Sequence, residues 1–168
     1  MMALLLTGCA GRREETFERW RSGLEGKTLS FTAEIVTHGE TAAKITAAIR
    51  REGEETLLTV LSPETIAGTA VRTTGAERTL EYGDLVLDLT PLREEDIPPC
   101  AAGDRLLETL LRGRLLWTEG TETAALSLRE GETVILRRNG DGVPVSAEIQ
   151  TGDRTALTLE ITEWSTGD

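Results

Sequence analysis

Positive charge is scarce in this sequence. Its 168 residues include 18 lysines and arginines against 29 aspartates and glutamates, which leaves a formal net charge of -11. No basic run exceeds two residues, whereas proteins that bind DNA or RNA cluster lysine and arginine to neutralise phosphates. The composition therefore excludes a nucleic-acid partner, and it also argues against adsorption to anionic lipid through a basic patch.

Metal ligands and groups suited to catalysis are scarce as well. The chain has one histidine, His38, and two cysteines, Cys9 and Cys100, and none of them stands at a spacing typical of zinc ligands. No nucleophile with an orienting acid accompanies His38 in the sequence pattern, so we interpret His38 as a solvated turn residue. We expect no catalytic residue, no metal and no cofactor.

Two other groups allow a chemical and a structural interpretation. The carboxylates Glu94, Glu95 and Asp96 are adjacent, but calcium needs about six to eight oxygens in a defined order, so we expect a solvated loop. Cys100 follows two prolines. The alternatives for it are a reactive or interchain-paired thiol and a buried small side chain, and we predict the buried side chain.

Aromatic residues make up only 4% of the chain, so aliphatic side chains must fill its interior. No segment approaches the run of about 20 apolar residues that a membrane-spanning helix needs. The overall balance, 39% hydrophobic and 28% charged, is that of a globular protein. We therefore predict a single domain over residues 16–168.

The N-terminus carries the most specific motif. The run Leu6-Thr7-Gly8-Cys9 resembles the lipobox of bacterial lipoproteins, and this resemblance implies a diacylglycerol on the Cys9 thiol. The apolar stretch before Cys9 is shorter than the usual core of about 7–15 residues, so residues 1–8 are expected to be a truncated signal peptide. The polar segment 9–15 is predicted to be a tether. The alternative is a soluble protein with an ordinary cysteine.

From Leu29 onward, apolar and polar residues alternate, and turn residues separate the apolar runs. This pattern is typical of antiparallel strands joined by tight turns. The strongest turn signal is Asn139-Gly140-Asp141-Gly142. We predict about ten strands between residues 29 and 164.

Two helices are predicted beside the strands. Thr16 to Leu24 has an apolar stripe at helical spacing, and Asp104 is expected to cap a helix that ends near Arg112. The apolar face of the second helix is wide, and it consists of Leu106, Leu107, Leu110 and Leu111. Helices of this kind are expected to cover the apolar face of a curved sheet.

This layout resembles the LolA/LolB-type lipoprotein-carrier superfamily. The most similar stretch is a strand that ends in Ser62-Pro63 and is followed by Gly68. The resemblance implies a mainly β (α+β) fold, a strongly curved antiparallel sheet or incomplete β-barrel, with a helical lid over a hydrophobic cavity. No position in this sequence matches the cavity arginine or the protruding apolar loop residue of that family.

Two functions follow as expectations. The first is a membrane-anchored lipoprotein of the cell membrane or outer membrane, with its domain on the extracytoplasmic side, that binds a lipid or another hydrophobic ligand. The second is a non-enzymatic interaction or sensor lipoprotein that binds an envelope protein. Trp20 and Trp117 are expected to fill the seam between helices and sheet. The candidate cavity residues are Phe31, Ile35, Ile45, Val60, Leu106, Leu110 and Trp117.

Overall fold

The computed structural model describes residues 8–39, 42–93 and 98–167, with side chains from residue 11 onward. The helices of this part are α1 (Gly8–Ser22) and α2 (Pro98–Arg112). A single 3₁₀ turn covers Glu64–Ile66. The 11 strands are β1 (Thr28–Thr37), β2 (Lys44–Glu52), β3 (Glu55–Ser62), β4 (Ala70–Thr74), β5 (Glu77–Tyr82), β6 (Leu85–Asp88), β7 (Arg114–Glu119), β8 (Thr123–Ser127), β9 (Glu132–Arg138), β10 (Pro144–Thr151) and β11 (Arg154–Gly167).

All of these strands form one antiparallel sheet with the order β6-β5-β4-β3-β2-β1-β11-β10-β9-β8-β7. Neighbours in the sheet are also neighbours in the chain, except that β1 pairs with β11 from Thr28↔Gly167 to Thr37↔Leu157. The sheet is curved and does not close, and β6 and β7 are its edges. The predicted mainly β (α+β) fold with an open, curved sheet is confirmed.

The core lies on one face of this sheet. Alternate side chains of β1, namely Leu29, Phe31, Ala33 and Ile35, are buried, while those between them are partly exposed. We name the face that carries these buried side chains the inner face. Helix α2 contacts β1, β2, β3, β8 and β11, whereas α1 contacts β7 and α2. Burying one such aliphatic side chain contributes about 1.5–3 kcal/mol, so the inner face holds both helices.

Helix α2 begins earlier than the sequence predicts. It starts at Pro98 rather than after Asp104. Proline suits the first turn of a helix because the N–H that it lacks would have no partner there, and the alanines that follow are strong helix formers. Asp104 therefore does not cap the helix, which is a correction. It lies in the middle of α2, where its carboxylate is buried.

Helix α1 is also longer at its start and shorter at its end than predicted. It covers Gly8–Ser22, and Thr16, expected as its cap, donates a hydrogen bond from Oγ1 to the carbonyl of Arg12 at 2.8 Å. The segment 9–15 is thus helical, and its role as a tether stays a prediction. In the described part of the chain, no helix is long and apolar enough to cross a membrane.

Candidate functional site

The seam between α2 and the inner face collects most of the predicted cavity residues. Six of them belong to one hydrophobic core and are each at most 6% exposed, namely Phe31, Ile35, Ile45, Val60, Leu106 and Leu110. Trp117 is separate from them: it lies on the edge strand β7 and is 42% exposed. It therefore does not fill the helix–sheet seam as expected, whereas Trp20 packs against the core.

Helix α2 approaches β2 very closely at Gly103. A Cβ built on this glycine would lie 2.8 Å and 2.9 Å from the two γ-carbons of Ile49, closer than the about 3.5–4.0 Å of an ordinary carbon–carbon contact. Ala101 and Ala102 precede Gly103 and are fully buried. Small side chains on this face of α2 thus bring the helix backbone down onto the sheet, a feature that sequence inspection missed.

A buried polar cluster joins α2 to β2 and β3. The Asp104 carboxylate on α2 accepts a hydrogen bond from Arg51 Nη1 at 3.3 Å and one from Thr56 Oγ1 at 2.9 Å. Arg51 Nη1 also donates to Thr56 Oγ1 at 3.2 Å. The side chains of Arg51 and Asp104 are only 6% and 11% exposed. Within the described residues, Arg51 Nε has no hydrogen-bond partner.

A second ion pair joins α2 to β9 on the other side of the helix. Arg105 Nη2 contacts Glu132 Oε2, and both side chains are almost fully buried. The other oxygen of this carboxylate, Oε1, is buried and has no hydrogen-bond partner in the described part of the chain. Successive residues of α2, Asp104 and Arg105, therefore fasten the helix to opposite halves of the sheet. Sequence inspection missed both pairs because their partners are far away in the chain.

Helix α1 is held by a buried arginine of β9. The Arg138 guanidinium lies over the rings of Phe17 and Trp20, 4.9 Å and 4.4 Å from their centres. Its Nη2 donates to the carbonyl of Thr121 at 2.5 Å. Burial lowers the pKa of Arg138 from its usual value, but arginine remains charged at neutral pH. The contact is a cation–π interaction that fixes α1 on the sheet.

The residues considered for chemistry are dispersed. His38 Nε2 is 3.1 Å from Thr158 Oγ1 on the exposed surface. Cys100 lies in the first turn of α2, where burial raises the pKa of its thiol and Arg78 opposes that shift more weakly. The backbone of Cys9 lies in the first turn of α1, and Glu94, Glu95 and Asp96 lie outside the described residues. The described side chains contain no group of three metal-ligating residues.

Open grooves surround this closed seam. A groove of about 310 Å³ runs over β1, β2, β3 and β11 and is lined by polar side chains that include Thr32, Arg50 and Glu163. A wider groove of about 600 Å³ lies between α1 and β7, where Glu14 and Glu18 face Arg114. Because both grooves are open and mixed in polarity, neither matches the apolar enclosure typical of a lipid site. The apolar surface of the domain lies instead beneath α2.

These features define the class of fold: an open, curved antiparallel sheet whose inner face is covered by an N-terminal and a mid-chain helix, as in LolA/LolB-type carriers. No family model matches the chain, and no curated protein matches it in sequence. Solved structures do match.

An uncharacterized conserved protein from Thermus thermophilus matches 94% of this chain and 88% of its own, with a TM-score of 0.50 and 10% identity. MucB matches 95% of this chain with a TM-score of 0.50 and 15% identity, and this chain spans 60% of MucB. A LolA superfamily protein from Nitrosomonas europaea matches 95% of this chain and 94% of its own, with a TM-score of 0.44 and 11% identity. At these identities the likeness concerns the fold alone.

Proposed function

We propose that this chain is an extracytoplasmic lipoprotein, held at the cell membrane or outer membrane by a diacylglycerol on Cys9. Its domain binds a lipid or another hydrophobic ligand between α2 and the inner face. The observation that supports this proposal is the construction of the α2 seam, where a continuous apolar surface is covered by a single helix.

The contacts at the seam make α2 suitable as a removable cover. Its polar contacts are buried but incomplete, because Arg51 Nε and Glu132 Oε1 have no hydrogen-bond partner among the described residues. Each unsatisfied buried group costs about 1–3 kcal/mol. That cost is relieved when α2 lifts and water reaches these groups, so α2 is held less tightly than its buried area suggests.

An acyl chain can replace the apolar contacts that α2 gives up. The helix buries Leu106, Leu107 and Leu110 against the sheet, and exposing three such side chains costs about 5–9 kcal/mol. An alkyl chain gains about 0.8 kcal/mol for each buried CH₂, so burying about ten of these groups recovers a similar free energy. Opening with a bound lipid is therefore energetically balanced, whereas opening into water is not.

A disulfide across the seam tests the proposal. A Cβ on Gly103 would lie 3.5 Å from the Cβ of Ile49, which falls in the range of about 3.5–4.5 Å seen in disulfides. The chain with Ile49→Cys and Gly103→Cys, in a Cys9→Ser and Cys100→Ala background, is titrated with a dansyl-labelled fatty acid. We expect binding when the disulfide is reduced and at least about tenfold weaker binding when it is oxidised.

The reduced double variant is its own matched control, since only the cross-link differs. Equal binding by the oxidised and reduced forms would place the ligand elsewhere, and failure of the parent chain to bind any acyl probe would remove the ligand hypothesis. The anchor is tested separately by mass spectrometry of the native N-terminus. We expect a diacylglyceryl mass on Cys9, and an unmodified Cys9 thiol in membranes would contradict the anchor.

Protein binding is a second candidate function, and one observation favours it. Three large apolar side chains, Leu85, Val86 and Leu87, are exposed side by side on the edge strand β6. Contiguous exposed apolar surface of this kind marks interaction sites on soluble domains.

A further inference from the structure

The strand β6 is the least covered part of the sheet. It pairs only with β5, in the register Thr79↔Asp88 to Tyr82↔Leu85, and it ends the strand order. Val86 is 65% exposed, and every residue of the strand is exposed. Edge strands in natural proteins are usually protected by charge, proline or a bulge, because their free N–H and C=O groups recruit other strands. We name Leu85–Asp88 the β6 edge.

The alternation of hydrogen bonds shows which backbone groups face outward. Leu89 N–H donates to the carbonyl of Arg78 at 2.8 Å, so these two residues form a hydrogen-bonded pair. Antiparallel pairs alternate between hydrogen-bonded and non-hydrogen-bonded types, so Val86 and Asp88 belong to non-hydrogen-bonded pairs with β5. Their N–H and C=O groups therefore point away from β5, toward the free side of the β6 edge.

An apolar row on the inner face leads to this edge. The strand registers place Leu58, Val71, Leu80 and Leu87 side by side across β3, β4, β5 and β6. The first two are buried, Leu80 packs against the core, and Leu87 is 44% exposed. Because cross-strand neighbours of this kind stabilise sheets, a further strand with an apolar residue opposite Leu87 would extend the row.

Negative charge frames the β6 edge. Asp84 precedes it in the hairpin turn and Asp88 ends it. Hydrogen bonds from the Thr90 hydroxyl and then its backbone N–H lower the pKa of the Asp88 carboxyl, which is therefore ionised at neutral pH. The exposed cation nearest in the sheet, Arg72, is already paired with Glu55 and lies 4.0 Å from Glu81. A ligand of this edge must accordingly supply positive charge.

We infer that the β6 edge binds an extended segment of another protein that has alternating apolar residues flanked by lysine or arginine. The segment adds a strand to the sheet, its backbone pairs with the outward groups of Val86 and Asp88, and its cations meet Asp84 and Asp88. This is recognition by β-augmentation. It uses a surface separate from the α2 seam, and it holds whether or not the seam binds a lipid.

Charge argues against the two other occupants. A symmetric pair of copies joined through β6 is antiparallel, and pairing centred on Val86 would set Asp84 of one copy opposite Asp88 of the other. Like charges directly opposite each other destabilise strand pairs. An anionic membrane surface would be repelled by the same carboxylates. A basic, extended peptide segment is the occupant that satisfies both the backbone and the charge.

The test measures peptide binding to the full chain carrying Cys9→Ser. Two fluorescein-labelled synthetic peptides share a core of alternating valine and threonine and end either in lysines or in glutamates. Fluorescence anisotropy should show binding of the lysine peptide, and binding of the glutamate peptide should be weaker by about tenfold or more. Added salt should narrow that difference because it screens exposed charges.

Two variants locate the site. Val86→Pro removes an outward N–H while sparing the ladder with β5, since proline is tolerated where the N–H faces solvent, and it should abolish binding. The matched control Val86→Thr keeps the N–H and should bind. Asp84→Lys, which alters charge and no backbone bond of β6, should shift preference toward the glutamate peptide and keeps the test decisive if the proline variant fails to fold.

Four results would overturn the inference. These are no binding of either peptide, equal binding of both peptides, binding that survives Val86→Pro in a folded protein, and a dimer by sedimentation that Val86→Pro converts to a monomer. The last result would identify a second copy of the chain as the occupant.

Discussion

Gly103 allows a sharp test of how α2 sits on the sheet. Replacing a helical glycine by alanine normally stabilises a helix by about 1 kcal/mol. Here the new methyl would lie 2.8 Å and 2.9 Å from the γ-carbons of Ile49, a side chain that is 1% exposed and has no room to move. Overpacking of this kind costs about 1–3 kcal/mol. We therefore expect Gly103→Ala to lower the free energy of unfolding by about 1–2 kcal/mol.

The measurement is urea unfolding of the chain with Cys9→Ser, followed by circular dichroism. Gly11→Ala is the matched control, because Gly11 lies in α1 and a Cβ built there meets nothing within 4 Å. That variant should be neutral or more stable by up to about 1 kcal/mol. The two substitutions are chemically identical, so opposite signs would isolate the contact with Ile49.

A double-mutant cycle completes the test. Ile49→Ala alone should cost about 2–5 kcal/mol because it leaves a cavity, yet it also creates space for the methyl of Gly103→Ala. The double variant should therefore be more stable than the sum of the single effects by about 1 kcal/mol or more. The reasoning fails if Gly103→Ala is stabilising like Gly11→Ala, or if the two seam substitutions are additive.

Three further predictions concern the buried charges and the thiol. Arg138→Ala should lower the free energy of unfolding by about 1–3 kcal/mol, because it removes the cation–π contact and a hydrogen bond. Arg137→Ala next to it, on an exposed side chain, should change stability by less than about 0.5 kcal/mol, and equal effects would contradict the contact with α1. Asp104→Ala should cost about 3–5 kcal/mol because Arg51 is left as a buried, uncompensated cation, and the pair Arg51→Met with Asp104→Leu should recover most of that loss in urea unfolding; a double variant as unstable as the single one would contradict this. Because burial raises the pKa of the Cys100 thiol, its reaction with a disulfide reagent at pH 8 should be at least about tenfold slower in the folded chain than in urea, and similar rates would show an accessible thiolate.

Local chemistry explains the parts of the fold that could be predicted from sequence. The turn at Asn139 joins β9 and β10 as predicted, and its side-chain oxygen accepts hydrogen bonds from the N–H groups of Asp141 and Val143, both at 3.0 Å. Every group that makes this turn lies within a few residues of the others. The alternation that marks strands is equally local, since side chains in a strand point to opposite faces in turn.

The candidate site could be predicted only in outline. The leucines of α2 were expected on its apolar face, and they are buried against the sheet. Asp104 precedes an apolar run, which is also the pattern of a helix cap. Its actual partner, Arg51, lies on a different strand, and no local signal distinguishes the two roles. Gly103 likewise gives no signal until the distance to Ile49 is known.

Trp117 shows a different limit of pattern reasoning. A large aromatic side chain is usually buried, and it was expected at the seam. The register of β7 shifts between Leu115 and Trp117, so an extra residue interrupts the ladder at the edge of the sheet. A bulge redirects the side chains beside it, and Trp117 lies exposed as a result. The bulge depends on pairing with β8, which the sequence of β7 alone does not specify.

The amino-acid sequence by itself determined that the domain would be an antiparallel sheet with one apolar face and two helices to cover it, because those features follow from the period of the side chains and from tight turns. Only the tertiary structure decided that β1 pairs with β11, that α2 interrupts the meander between β6 and β7, and that β6 is consequently an uncovered edge. Strand partners at long range are selected by how well whole faces pack together, a property that belongs to the assembled sheet and to none of its strands alone.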